Sequence, residues 1–277
     1  MSYSFQKNQF YRMPTHFGPS LGPRQGVDGR RYANINTPRD TTIEAVFKAA
    51  DTSQLEKLLP PGFTLREPHV INLMFSYGKD LEWLAGRGYN VFGITVPATY
   101  QGQQDKVDGD FLLVLWESRA DPIITGREDL GFSKLYCEIP EPQFIGNDVI
   151  CRASWDGHQF ASLKLSDLTE ITAEEIPPAP ASEGWLHYKY IPKTGVPGVA
   201  DVEYPVLTPA SALSANVEQV MVAQSASSQF LKSTWEELPT LVHIVNTLSG
   251  LTLGDCVSAT LMKTCGGTDV GAQRILD

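Results

Sequence analysis

The strand pattern of this chain is clearest in residues 149–165, which read VICRASWDGHQFASLKL. Two runs that alternate apolar and polar residues flank the dipeptide Asp156–Gly157. Asp-Gly is favoured in a type I′ turn, because both central residues of that turn need positive φ angles. The stretch therefore predicts a β-hairpin in which Trp155 and His158 flank the turn.

Apolar runs of strand length recur on both sides of this hairpin. The run Phe111–Trp116 is apolar throughout, which is typical of a strand buried on both faces. Helix signals are few, and one of them is a capping box at Ser53–Glu56. The pattern predicts an α+β fold that is mainly antiparallel β, a barrel or sandwich with a few short peripheral helices. Further strands are predicted at 42–49, 69–77, 89–100, 109–117, 132–139, 185–191, 218–226, 241–247 and 256–263.

The first forty residues differ in composition from the rest, because glycine, proline, arginine and asparagine are frequent there. Proline lacks a backbone donor and glycine favours turns, so a regular helix or a central strand is excluded in this region. We predict an N-terminal arm over residues 1–40 that packs on the body or on a neighbouring subunit. A frayed tail is the alternative. A single domain is predicted for residues 41–277.

The composition limits the classes of partner. The chain has 277 residues and a formal net charge of −10. It takes about 20 consecutive apolar residues to span a bilayer as a helix, and no apolar run in the sequence is that long. The negative charge disfavours nucleic acid as a partner. The first residues lack the apolar segment of a secretory signal, and the four cysteines are scattered without a CxxC pair. We therefore expect a cytoplasmic protein with reduced thiols, no metal, no membrane and no nucleic acid.

A second informative stretch is residues 126–135, which read GREDLGFSKL. In a strand over residues 132–139, alternation places Phe132, Lys134, Tyr136 and Glu138 on one face. A lysine between two aromatic residues is a candidate for catalysis. From the residues alone, solvation of the amine or an ion pair with Glu138 is the commoner role of such a lysine.

The arrangement Gly-Arg-Glu, five residues, Lys-Leu resembles the signature of the acetoacetate decarboxylase superfamily. Further elements match in the family's order over residues 40–265: Leu58-Leu59-Pro60 before Glu67-Pro68, then Gly109-Asp110-Phe111, and later Lys189-Tyr190-Ile191-Pro192. The resemblance implies a mainly antiparallel β-cone or barrel with a central cavity, in a homo-oligomer. It also implies that Lys134 forms a Schiff base with a carbonyl substrate, so that the covalent imine replaces any cofactor.

A Schiff base requires a neutral amine. A free lysine has a pKa of about 10.4, so about one molecule in 2,500 is deprotonated at pH 7. Burial in an apolar cavity or a neighbouring cation can lower this pKa, and acetoacetate decarboxylase is a known example of such activation. We expect burial against Phe132 and Tyr136, together with Arg127, to have this effect here.

The sequence departs from the family's decarboxylases at two places. Those enzymes carry a proline before the reactive lysine and a second lysine directly after it, whereas this chain has Ser133-Lys134-Leu135. They also carry glutamates in the regions that correspond to Ile71–Phe75 and Tyr89–Phe92, where this chain has no carboxylate. The resemblance therefore favours the aldolase-dehydratase branch, which condenses a 2-oxo acid such as pyruvate with an aldehyde. Decarboxylation of a 3-oxo acid and non-catalytic binding of a small metabolite are the alternatives.

Other residues are assigned to the predicted site with less specific signals. Glu117, at the end of a buried strand, is a candidate acid or base, with a solvated strand end as the alternative. Tyr136 is a candidate proton donor. The candidate substrate-binding residues are Arg127 and Glu128 of the motif, Arg39 (beside Arg30 and Arg31) for a carboxylate, and the aromatic residues Phe132 and Tyr89. The alternatives are a structural ion pair for Arg127 and Glu128 and ordinary packing for Tyr89.

Overall fold

The structure, a computed structural model, describes residues 4–32, 38–172, 175, 181–213, 215–267 and 272–277. Its strands are β1 Arg39–Ala49, β2 Phe63–Leu65, β3 Val70–Leu81, β4 Arg87–Gln101, β5 Lys106–Glu117, β6 Lys134–Tyr136, β7 Gln143–Ile145, β8 Asp148–Trp155, β9 His158–Ile171, β10 Gly184–Pro192, β11 Ala200–Pro209, β12 Asn216–Phe230, β13 Leu253–Cys265 and β14 Arg274–Ile275. The α-helices are α1 Thr52–Glu56, α2 Ala120–Thr125 and α3 Val242–Ser249. A π-helical turn covers Gly126–Leu130, and short 3-10 turns cover Thr15–Phe17, Glu82–Leu84 and Ala210–Leu213.

All these strands belong to one sheet, with the order β14-β11-β10-β5-β4-β3-β1-β13-β12-β9-β8-β7; β2 pairs with β4, and β6 pairs with β5. Neighbours are antiparallel except that β5 runs parallel to both β10 and β6. In the part of the chain that the structure describes, the strand path is open and ends at β14 and β7. The predicted mainly antiparallel class with short peripheral helices is confirmed.

The hairpin of β8 and β9 forms as predicted. Asp156 and Gly157 have φ angles of 48° and 79°, as a type I′ turn requires. Trp155 and His158 are paired directly beside the turn. Local turn chemistry therefore determines this pairing.

Strands β3, β4 and β5 have one face in the core and the other toward a cavity. Phe75, Phe92 and Trp116 lie opposite one another on these three strands, and their rings stack at centroid distances of 4.2 and 5.2 Å. Because successive side chains alternate between faces, the next residues along point to the opposite face. The Glu117 side chain, next after Trp116 on β5, therefore points away from the aromatic core and toward the cavity.

Strand β1 joins the two halves of the sheet. It lies between β3 and β13, so that Ile43 pairs with Phe75 on one side and with Leu261 on the other. Its buried residues Ile43, Ala45 and Phe47 alternate with less buried ones, as the sequence pattern predicts for a strand.

Three local predictions were wrong. Helix α3, Val242–Ser249, lies where a strand was predicted at 241–247, because Leu238, Leu241, Val245 and Leu248 recur at helical spacing and are all buried. The strand predicted at 132–139 is shorter, because β6 covers Lys134–Tyr136 and follows a π-helical turn at Gly126–Leu130. Helix α1 is capped by Asp51, whose side chain accepts a hydrogen bond from the Ser53 amide, so Ser53 is not the cap.

The described part of the N-terminal arm, residues 4–32, lies against the body. Arg12 forms an ion pair with Asp129, with Nη1 and Oδ2 2.7 Å apart, and both side chains are about nine-tenths buried. The arm is thereby attached to the π-helical turn that precedes Lys134. In the described residues, no helix has the length and apolarity needed to cross a membrane.

Candidate active site

Lys134 begins β6 and is 8% exposed. Its Nζ lies 2.7 Å from Oε1 of Glu117 and donates a hydrogen bond of 3.2 Å to the carbonyl oxygen of Pro122. The same nitrogen lies 5.1 Å from the ring centroid of Phe132. The parallel pairing of β6 with β5 places Lys134 opposite Leu115, which brings its side chain beside Glu117 two residues further along β5.

The Lys134 amine faces a cavity of about 410 Å³. Strands β1, β3, β4, β5, β6 and β10 contribute its walls, together with α2, the π-helical turn and Pro23 of the arm. This volume lies in the range of small-molecule sites in proteins, about 300–1,000 Å³. Among the described lining residues Lys134 is the one cation, and the polar and aromatic lining includes Asp40, Thr42, Ser76, Trp83, Tyr89, Glu117, Phe132 and Trp185.

Glu117 is buried, with 1% of the residue exposed, so the alternative of a solvated strand end is excluded. Burial raises the pKa of Glu117, and the charge and hydrogen bond of Lys134 oppose that rise. Its second oxygen, Oε2, has no hydrogen-bond partner in the described part of the protein. A buried carboxylate with a free oxygen beside an amine can take a proton from that amine or return one.

Gly126 packs directly against the Lys134 side chain. A Cβ atom at Gly126 would lie 2.5 Å from Cδ and Cε of Lys134 and 2.7 Å from Nζ. The backbone at Gly126 is ordinary right-handed helix, with φ −63° and ψ −40°. The close approach of the lysine side chain therefore explains why residue 126 is glycine. The backbone conformation does not require glycine at this position.

Replacement of Gly126 by alanine is expected to displace the Lys134 amine. A shift of about 1 Å at a reacting group can reduce a rate about 100-fold, and overpacking costs about 1–3 kcal/mol of unfolding free energy. The rate of reductive imine trapping on Lys134 and the denaturant midpoint measure the two effects. Gly250→Ala is the matched control, because a Cβ there has its nearest neighbour at 3.4 Å. A Gly126→Ala protein that traps substrate at the wild-type rate would contradict this account.

Arg127 and Glu128 do not line the Lys134 cavity. Arg127 donates a hydrogen bond of 2.9 Å from Nη1 to the Lys134 carbonyl oxygen, and it lines a separate cavity of about 370 Å³ on the other face of β6. The Glu128 carbonyl oxygen accepts a hydrogen bond of 2.6 Å from Lys189. Both residues of the motif therefore hold the backbone around Lys134, in place of the predicted contact with substrate.

Of the other predicted site residues, Phe132 and Tyr89 line the cavity, and Arg39 and Tyr136 do not. The Arg39 side chain is 58% exposed and is 3.4 Å from Glu218 and 3.8 Å from Asp80. Alternation along β1 directs Arg39 and Asp40 to opposite faces, so the acid enters the cavity and the arginine does not. Tyr136 is 48% exposed, outside the cavity lining.

Asp40 is a lining residue that the sequence reasoning missed. The Ser76 hydroxyl lies 2.8 Å from both carboxylate oxygens and shares its one hydrogen between them, and the Thr42 hydroxyl donates a second hydrogen bond of 3.0 Å. The acid and Thr42 are two apart on β1, and Ser76 pairs with Thr42 across the sheet. The available signal was the polar alternation of residues 40 and 42 at the start of a strand.

His187 was also missed. Its side chain is fully buried behind Phe132, with the two ring centroids 4.1 Å apart. Its Nε2 lies 2.8 Å from the hydroxyl oxygen Oγ1 of Thr208. Burial and, to a smaller extent, the charge of Lys134 lower the pKa of His187 to about 3. The imidazole is therefore neutral at physiological pH and supports the ring that Lys134 contacts.

Comparisons with known proteins agree with this architecture. The sequence model of the acetoacetate decarboxylase (ADC) family matches residues 12–265. None of the curated proteins compared with the chain matches it. An acetoacetate decarboxylase from Legionella pneumophila subsp. pneumophila superposes with a TM-score of 0.62 at 17% identity, covering 90% of this chain and 91% of that one.

The enduracididine biosynthesis enzyme MppR is also similar in structure. Its complex with pyruvate gives a TM-score of 0.61 at 15% identity, covering 94% of this chain and 98% of that one. Its complex with the condensation product of pyruvate and imidazole 4-carboxaldehyde gives 0.59 at 15% identity, covering 93% and 97%. At these identities the structures establish the fold, while the family model spans nearly the whole sequence. The chain therefore belongs to the acetoacetate decarboxylase family.

Proposed function

We propose that Lys134 forms a Schiff base with a small oxo acid, and that the protein is a carbon–carbon lyase. One observation carries the proposal: the Lys134 amine lies inside a cavity of about 410 Å³ with its nitrogen 2.7 Å from the buried carboxylate of Glu117. A nucleophile and a proton acceptor within hydrogen-bond reach are the minimum requirement for covalent catalysis of this kind.

Glu117 supplies the proton transfer that the amine needs. The ion pair and the pair of neutral amine and carboxylic acid contain the same number of protons, so exchange between them needs no solvent. Burial raises the pKa of Glu117, which favours the proton on the carboxyl group. The amine freed in this way attacks the substrate carbonyl, and the carboxylic acid returns its proton as water leaves and the imine forms.

The reaction proposed is aldol condensation followed by dehydration. Loss of a proton from the carbon next to the imine gives an enamine, whose carbon attacks the carbonyl carbon of an aldehyde. Loss of water from the adduct gives a conjugated imine, and addition of water to that imine releases an unsaturated 2-oxo acid and regenerates Lys134. The net reaction consumes one 2-oxo acid and one aldehyde and produces the unsaturated acid and one water.

One observation supports condensation over decarboxylation. The residue after Lys134, where the family's decarboxylases have a second lysine, is Leu135, which lines the separate cavity behind β6. The similar structures include an acetoacetate decarboxylase as well as MppR with a condensation product of pyruvate and an aldehyde, so the comparisons agree with either reaction.

Reductive trapping tests the proposal directly. The protein is incubated with pyruvate, acetoacetate or related oxo acids and treated with borohydride, and intact mass and peptide mapping then locate the adduct. We expect a mass increase that maps to residue 134. The proposal fails if no oxo acid of the panel gives an adduct. With pyruvate plus an aldehyde, a product that absorbs in the near ultraviolet indicates condensation, whereas rapid carbon dioxide release from acetoacetate indicates decarboxylation.

A further inference from the structure

The side of the cavity away from Lys134 is formed by an oriented carboxylate. The hydroxyls of Ser76 and Thr42 donate to Asp40 at 2.8–3.0 Å and hold its side chain toward the cavity. A carboxylate has about four lone-pair sites, so acceptor capacity remains for a ligand.

The charges of the described lining residues do not balance. Lys134 and Glu117 compensate each other as an ion pair at 2.7 Å. Asp40 has no cation of its own within that lining. Glu117 is 1% exposed, and its Oε2 has no hydrogen-bond partner among the described residues. The oxo acid of the proposed reaction would bring one more negative charge. The cavity is thus short of positive charge when that substrate is bound.

The walls near Asp40 also favour a cation. Trp83 and Tyr89 both line the cavity, and their rings lie 6.3 Å apart at an angle of 67°. The faces of such rings attract cations because of their quadrupole. The negative charge of Asp40 helps to raise the pKa of Tyr89, after burial and Glu117, so this phenol remains neutral beside the acid.

The sheet sets the distance between the two ends of the cavity. Thr42, Ser76, Val91 and Glu117 lie opposite one another on the successive strands β1, β3, β4 and β5. Three strand spacings of about 4.8 Å separate β1 from β5 by about 14 Å. The contact with Ser76 brings the Asp40 carboxylate toward β3, which leaves about two spacings, or about 10 Å, between Asp40 and Glu117. A separation of about 10 Å leaves room for a small molecule between the two carboxylates.

We propose that the aldehyde, which is attacked by the enamine carried on Lys134, has a cationic nitrogen group that binds Asp40. This inference rests on the proposed condensation and names the substrate class of its second reactant. The cation completes the charge balance of the cavity, and its distance from the aldehyde carbon selects among aldehydes.

Matched aldehydes test this selectivity. The cation 4-(guanidinomethyl)benzaldehyde and the neutral 4-(ureidomethyl)benzaldehyde have nearly the same size and the same reactive group. With pyruvate as the first reactant, we expect kcat/KM to favour the cation by about 10- to 100-fold, because hydrogen bonds to charged groups are worth about 1.5–3 kcal/mol. Asp40→Asn should reduce this ratio to about 1. Asp255→Asn removes the same charge from a side chain that is 89% exposed, and it should leave the ratio unchanged.

A binding measurement separates recognition from chemistry. By calorimetry with the pyruvate-treated and borohydride-reduced protein, benzylguanidine should bind more tightly than benzylurea, and Asp40→Asn should remove the difference. If wild-type protein forms no adduct with any oxo acid, the proposed function fails. If wild-type protein forms the adduct but its kcat/KM favours the neutral aldehyde, or is the same for both aldehydes, this inference alone is overturned. The wild-type protein is sufficient for that measurement.

Discussion

Lys134→Met is expected to lose at least about 1,000-fold of the condensation rate, because a thioether of similar length cannot form an imine. The borohydride adduct should disappear completely. Steady-state formation of the unsaturated acid measures the first effect, and intact mass after trapping measures the second.

Lys189→Met provides the control for a buried lysine. Lys189 is 9% exposed and its amine donates to the Glu128 carbonyl oxygen at 2.6 Å, outside the described lining of the Lys134 cavity. This variant should still form the adduct. Loss of the adduct in Lys189→Met with retention in Lys134→Met would place the reactive amine elsewhere and reject the assignment.

The same Lys134→Met variant should be destabilised in a pH-dependent manner. Without Lys134, the pKa of Glu117 loses the interactions that lower it, and burial raises it further above its ordinary value of 4.5. A carboxyl group with a raised folded-state pKa binds more protons when folded, so the unfolding free energy falls as the pH rises above 4.5. At pH 8 the loss should approach about 3–5 kcal/mol, and it should be smaller at pH 5. Lys134→Met/Glu117→Leu should abolish this pH dependence.

Glu117→Gln should reduce the rate of adduct formation and the turnover by about 100-fold or more, because an amide of the same shape cannot accept the proton of the amine. Samples treated with borohydride at increasing times of incubation with the oxo acid should show that the adduct on Lys134 accumulates slowly. Reactivity should therefore be delayed and not abolished, which distinguishes this variant from Lys134→Met.

Glu44→Gln is the matched control for Glu117. Glu44 is another carboxyl group whose pKa is raised by burial, on strand β1 and outside the described lining of the Lys134 cavity. Its replacement should leave the rate of adduct formation unchanged. Wild-type kinetics in Glu117→Gln would show that another group accepts the proton.

Much of the fold was predictable because strands have a short and regular period. The hairpin at Asp156–Gly157 and the buried strand that contains Phe111–Trp116 follow from turn chemistry and local hydrophobicity. Helix α3 was missed because its short apolar run fits either a strand or a helix. Only the wider spacing of Leu238, Leu241, Val245 and Leu248 distinguishes the two.

Of the residues assigned to the candidate site from the sequence, Lys134, Glu117, Phe132 and Tyr89 line the cavity, and Arg127, Glu128, Arg39 and Tyr136 do not. Lys134 was assigned from resemblance, and its proximity to Glu117 depends on the parallel pairing of β5 with β6. That pairing was not predicted, because the sequence pattern indicated a mainly antiparallel sheet and did not identify which neighbouring strands run parallel. Arg39 was predicted to line the site, whereas its neighbour Asp40 lines it in the structure. The difference depends on which face of β1 meets the cavity, and the sequence pattern alone does not identify that face.

The position of β1 between β3 and β13 has a consequence for biosynthesis. Arg39 pairs with Cys265, so the segment that carries Asp40 leaves the ribosome long before its second neighbour has been translated. Contacts between such distant segments form slowly, and an unpaired strand edge in the nascent chain is prone to aggregation. The sheet around the Asp40 side of the cavity is therefore completed only after residues 253–265 have been synthesised, and until then one edge of β1 lacks its native neighbour.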